Sequence, residues 1–191
     1  MNPTIERTLG RWLKNVRAGD RHLAWNDPRF TAAPDTILLT SSAFDESEII
    51  PQRHAGEGVG ENISPPLSWS VLPFGTVELV LIMQDPDAPM RRPVVHLLVT
   101  GIAPERGSVP EGYLTPETSR DLRFGRGLFG RLGYAGPRPV RAHGRHRYIF
   151  QIFALSRRLD FKVTPDYAAV TKAMTGAVLA RGRLIGAYER K

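Results

Sequence analysis

The side chains best able to do chemistry in this chain are two carboxylates, three histidines and a tyrosine. Asp85 and Asp87 lie two residues apart in Asp85-Pro86-Asp87-Ala88-Pro89, and His96 follows a short way on. His143, His146 and Tyr148 arrive together in His143-Gly144-Arg145-His146-Arg147-Tyr148. A carboxylate beside an imidazole favours the charged ring, so the pair can hold an anion near neutral pH or orient a general base. Tyr148 adds a hydroxyl with an ordinary pKa of about 10. The same residues also fit a blander reading, a solvated turn beside a core histidine and a His-Tyr pair that caps a strand. An enzymatic alternative is a hydrolase using His96, His143 and His146 with Asp85 or Asp87. The chain has no HExxH or GxSxG signature and no nucleophile beside an obvious base. It contains no cysteine, which excludes disulfides, thiolate catalysis and Cys-ligated metal. No metal and no cofactor is expected.

These groups need strands and turns to position them. Apolar runs at 77–83 and 94–102 flank the acidic turn, so strand, rigid turn and strand are expected, with the carboxylates at the rim and His96 early in the second strand. Residues 148–155, rich in aromatic and β-branched types, read as a further strand. Before it runs the Gly/Pro loop 133–139, where Gly136 lets backbone N–H groups approach a ligand and Pro137 limits loop freedom. Residues 37–41 and 67–69 read as shorter strands, and 184–188 as a last strand or tail. The segment 104–133 holds nine glycines or prolines, too many for long regular elements. Helical spacing marks 4–17, through Ile5, Leu9, Trp12, Leu13 and Val16, whose stripe could pack on the body, on a partner subunit or on an anionic membrane surface, packing being the commoner outcome for so short a stripe. It also marks 165–181, with Thr164 as N-cap, Pro165 at the first position and Gly182 as the stop. The chain therefore divides into an N-terminal helix and loop, 1–35, and one mainly β domain, 36–191.

The net charge is +7, and eight arginines cluster between Arg120 and Arg147. Such a field attracts phosphate groups, acidic lipid surfaces or nucleic acid, or is a solvated face. Nucleic acid fits poorly, because only Phe124, Phe129 and Tyr134 interleave the cluster and no recognised motif is present. No apolar run approaches the ~20 residues of a membrane span. The first residues lack the apolar core of a secretory signal, so a cytoplasmic location is expected.

Four ordered motifs carry a resemblance. They are Asn62-Ile63-Ser64-Pro65-Pro66-Leu67-Ser68-Trp69, the Asp85–Pro89 turn with His96 after it, Gly136-Pro137, and His143-Gly144-Arg145-His146-Arg147-Tyr148-Ile149-Phe150. Together with the closing Gly186-Ala187-Tyr188-Glu189-Arg190, they resemble the phosphatidylethanolamine-binding proteins, in their bacterial Raf-kinase-inhibitor-like branch. The resemblance implies a two-sheet antiparallel Greek-key sandwich with peripheral N- and C-terminal helices and a small cavity at one end. It implies a pocket for a phosphate-like anion or phospho-head group built from Asp85, Asp87, Pro89, His96, Gly136, Pro137, His146 and Tyr148, with His143 beside them. It also implies a cis peptide in this region, Ala88–Pro89 being the candidate, and a homodimer. A non-enzymatic regulator or ligand carrier is the expected role; kinase regulation does not transfer on fold alone. Two departures stand out. Val94, Val95 and Leu97 surround His96 where aromatics are usual, and Arg138 and Arg141 occupy positions of small residues, making a more cationic mouth.

Overall fold

The computed structural model describes residues 3–191. Eight strands form two antiparallel sheets. The small sheet contains β1 (Leu39–Thr40), β2 (Leu67–Trp69) and β5 (Ser108–Val109), in the order β1-β2-β5. The large sheet contains β3 (Glu78–Asp85), β4 (Val94–Ile102), β6 (Arg123–Phe124), β7 (His146–Leu155) and β8 (Val178–Tyr188), in the order β6-β4-β3-β7-β8. Alternation along the large sheet feeds two cores. Leu81, Met83, Leu97, Val99, Phe150 and Ile152 meet Leu39, Leu67, Trp69 and Val109 of the small sheet. Val80, Ile82, Leu98 and Phe153 face the other way, onto Phe30 and onto Val170 and Met174 of helix α2 (Tyr167–Met174). β3 lies at the centre of both layers and all eight of its residues are buried, which explains its nearly unbroken apolar run.

Two expected helices are shorter than their patterns. The N-terminal helix α1 is Pro3–Trp12, and its apolar stripe is not what packs. Trp12 is 80% exposed and Ile5 60%, while Gly10 is buried so tightly that a Cβ there would lie 1.9 Å from the Arg141 carbonyl oxygen. Glu6 anchors the same face, 2.6 Å from Arg190. At the other end, Asp166 rather than Thr164 caps α2, accepting from the Ala169 N–H at 2.8 Å. The helix ends at Met174, and residues expected to continue it belong to β8, which pairs with β7 from His146↔Tyr188 to Leu155↔Val178. Gly182 is thus not a helix stop. It sits in mid-strand opposite Ile152, where the backbone of Ile37 crosses β8. No described helix is long and apolar enough to cross a membrane.

A Cβ on Gly182 would lie 1.9 Å from the Ile37 carbonyl oxygen, which is backbone and cannot step aside. Gly182→Ala is expected to destabilise the fold by about 1–3 kcal/mol, read as a lowered urea midpoint with an unchanged slope.

Candidate functional site

The acidic turn is held from inside. Asp85 ends β3, and its Oδ1 accepts the backbone N–H groups of Asp87 at 2.8 Å and Ala88 at 3.0 Å, an Asx turn of the kind Asp favours. Its Oδ2 lies 2.8 Å from Nδ1 of His146, the first residue of β7. The chain continues, with His146 Nε2 2.6 Å from His143 Nδ1 and His143 Nε2 2.9 Å from the Leu13 carbonyl and 3.2 Å from that of Val16. Asp85, His143 and His146 are at most 3% exposed, so the carboxylate is not at the rim as expected. The carbonyls only accept, so His143 donates from Nε2. Burial first, then the neighbouring His146 and Arg17, holds the His143 pKa below the ordinary histidine value.

Asp87 takes a different role. It accepts from the backbone N–H and Nε of Arg147, each at 2.8 Å, and lies 3.1 Å from Arg17. Burial opposes its ionisation, but the hydrogen bonds from Arg147 and the charge of Arg17 outweigh this and hold it below the usual carboxylate range. It faces a separate cleft shared with Arg145 and Glu48.

His96 owes its position to a bulge. Met83 pairs with Leu97 and Gln84 with Val95, so His96 is an extra residue with no partner on β3. Its backbone instead meets the Gly/Pro loop: Ala135 donates its N–H to the His96 carbonyl at 2.9 Å, and the His96 ring donates from Nδ1 to the Ala135 carbonyl at 2.7 Å. This fixes the tautomer and leaves Nε2 without a hydrogen-bond partner among the described residues. Burial lowers the ring's pKa, outweighing the opposing charge of Asp85 and the Ala135 bond, so the free ring is neutral at pH 7. That reverses the expectation of a raised histidine pKa. Tyr148 packs edge-on to it, ring centroids 5.2 Å apart. Its hydroxyl is buried without a hydrogen-bond partner; the Arg138 amide lies near but completes no bond of ordinary geometry. Burial raises its pKa well above the usual value, so it stays protonated.

A cavity of about 510 Å³ opens at this point, lined by His96, Gly136, Asn62, Phe129, Arg131 and Arg138 among others. Asn62 organises its wall. In a left-handed conformation with φ of 57°, it accepts the Gly136 N–H at 2.8 Å and donates to the Tyr134 carbonyl at 3.2 Å. The Gly136 amide is therefore committed to the protein and not free for a ligand, contrary to the sequence expectation. Gly136 is required for closeness instead: a Cβ there would sit 2.2 Å from the His54 carbonyl oxygen.

Of the nine residues read from the sequence, His96 and Gly136 line the cavity and Tyr148 lies against His96. Asp85, His146 and His143 form the buried chain beside them, with the His146 ring stacked 6.5 Å from Tyr148. Asp87 faces elsewhere, and Pro89 and Pro137 do not line the cavity. The Ala88–Pro89 bond is trans, since no cis peptide occurs among the described residues. Among those residues no three His, Asp or Glu side chains form a metal cage. Sequence reasoning missed Arg131 and Phe129 as lining groups, and placed Asn62 only in a motif. An Asn ahead of a double proline, fit for a left-handed turn, is the signal that was there to use.

Residues 40–189 match the family model described as phosphatidylethanolamine-binding protein. The chain belongs to that family. Among curated relatives, a UPF0098 protein of Pyrococcus horikoshii is 40% identical over 157 residues, 81% of this chain and 77% of its own. One from Aquifex aeolicus is 37% identical, covering 84% of this chain and 93% of its own. The crystal structure of a phosphatidylethanolamine-binding protein homologue from Chlamydia trachomatis superposes with a TM-score of 0.72 at 30% identity, over 82% of this chain and 99% of that one. E. coli YbcL, described as a member of the mammalian phosphatidylethanolamine-binding family, gives 0.75 at 26% identity, over 81% and 99%. The mainly β, two-sheet architecture with a helix towards each end is thus the family's.

His96 and His143 are both held below their ordinary pKa, so on unfolding each takes up a proton at about pH 6.5, before the folded protein does. Their contribution to stability is complete above that pH and is lost as pH falls towards the folded values. Urea midpoints should therefore drop between about pH 7.5 and 5.5, and His96→Leu should flatten the profile.

Proposed function

We propose that this protein is a binding module that holds a small tetrahedral anion, inorganic phosphate or the phosphate of a head group, in the cavity between His96 and Arg138. The carrying observation is the buried Tyr148 hydroxyl without a partner, set edge-on to the His96 ring, whose Nε2 is likewise uncommitted. A buried polar group left unpaired is costly, and an anion that accepts from it recovers that cost. Arg138, with no ion-pair partner among the described residues, and Arg131, paired with Glu57, line the mouth and bring positive charge to it. The family's name supports the phospho-head group as one natural form of the ligand.

Anion capture draws a proton with it. Neutral His96 offers only a lone pair at Nε2, so it becomes a donor to an anion only by taking up a proton there. The buried chain supports binding over hydrolysis. Both nitrogens of His146 are committed, one to Asp85 and one to His143, so the carboxylate–imidazole pair presents no base to a substrate. Behind His96 stands a carbonyl, not a carboxylate. On the family reading we also take the protein to be a cytoplasmic homodimer, which light scattering measures directly.

Sulfate keeps a constant charge near neutrality and isolates the protein's titration. Its affinity should rise as pH falls, by up to about tenfold per unit, once pH passes below the His96 pKa of the complex. It should level off only below the depressed value of the free ring. A flat affinity between about pH 5 and 8 would overturn the mechanism. Tyr148→Phe should weaken sulfate about tenfold while leaving stability unchanged or raised by up to about 1 kcal/mol, because it removes an unsatisfied buried group. Phosphoethanolamine should bind no better than phosphate at this cationic mouth.

A further inference from the structure

We propose a second ligand site on the opposite face of the large sheet, for a small molecule that joins a carboxylate or phosphate to an apolar body. The cleft, of about 540 Å³, lies between the turns at 20–29, the Arg92-Pro93 step and the start of α2. This volume is in the range of small-molecule pockets, roughly 300–1,000 Å³. Its apolar lining comes from Leu23, Pro93 and Val95. Val95 is the neighbour of His96 but packs towards the α2 core, so the two cavities stand back to back across β4.

Its polar groups are under-used in a particular way. Three arginines, Arg21, Arg29 and Arg92, line the cleft against a single carboxylate, Asp27. That carboxylate is already taken by Arg29, at 2.5 Å. Arg21 and Arg92 have no acidic partner among the described residues, so two fork-shaped donors remain for an anion. Beneath them lies Gln84, 1% exposed. Its Oε1 is doubly engaged, by Ala24 N–H at 2.8 Å and Gln151 Nε2 at 3.0 Å, while its own Nε2 makes a long bond of 3.5 Å to the His22 carbonyl and lies near the Tyr167 hydroxyl. The Tyr167 hydroxyl is similar, with one long bond of 3.4 Å to the same carbonyl. Burial pushes the Tyr167 pKa up to about 12, so the hydroxyl remains a donor. A buried amide and a half-buried hydroxyl facing a concave space, with charge at the rim and hydrocarbon between, suit an anion carrying an apolar group.

The experiment is a titration of the full-length, 15N-labelled chain with phenyl phosphate, followed by amide shifts. Saturable shifts are expected at Leu23, Val95 and Tyr167, weakened about tenfold in the Arg21→Ser/Arg92→Ser variant and unchanged by Tyr148→Phe. Both arginines are exposed, so the variant should keep the parent spectrum elsewhere. No saturable shift at these amides, or the same affinity in the double variant, would overturn the site. Loss of these shifts in Tyr148→Phe would overturn it too, by showing one site instead of two. Inorganic phosphate binding as tightly as phenyl phosphate would overturn the apolar part of the assignment. Because the Tyr148 cavity is tested separately with sulfate, failure here leaves that reading intact.

Discussion

A buried carboxyl group must find hydrogen-bond partners for both oxygens, and Asp85 does so with three contacts from two parts of the chain. Everything around the cavity depends on this. Its two backbone bonds shape the turn after β3. Its bond to His146 fixes where β7 begins, and so places Tyr148, two residues on and on the same face. Through His143 the chain reaches the carbonyls of Leu13 and Val16, tying the N-terminal segment to the same point. Ala18 and Gly19 then bond to the carbonyls of Ala88 and Pro86, closing the segment over the turn. The carboxylate–imidazole chain acts, in this geometry, as a brace between β3, β7 and the N-terminal segment.

The cavity itself is made by a different device. His96 and Ala135 exchange two hydrogen bonds, one through backbone and one through the ring, and Asn62 bonds across to Gly136 and Tyr134. A strand bulge and two loops, far apart in sequence, are thereby fixed to one another. The polar atoms left over, the Tyr148 hydroxyl and Nε2 of His96, are those the protein has not used for itself. That division between committed and uncommitted polar atoms marks the framework more sharply than residue type does.

Much of this was legible in the chain, and the failures have physical causes. The run 94–102 became β4 residue for residue, because an apolar stretch flanked by Pro93 has few other uses. The run 165–181 misled because alanine, valine and leucine after Met174 satisfy a helical period. Pairing with β7 along the whole of β8 overrides that local preference. The N-terminal stripe misled for the opposite reason: its periodicity is real, but close approach through Gly10 and the Glu6–Arg190 pair decided which face docks. At the site, residue types were readable and their engagement was not. Nothing in the one-dimensional pattern tells that His146 spends both nitrogens on neighbours, or that burial outweighs the Asp85 charge at His96.

The bulge in β4 makes the number of residues, as well as their kind, part of the design. Replacing His96 costs a ring and its bonds but leaves every other position in frame. Deleting it would leave the flanking pairs, Met83 with Leu97 and Gln84 with Val95, in place and regularise the ladder, removing the kink that carries the ring to the Ala135 carbonyl. The extra residue thus serves one side chain and not the register of the sheet.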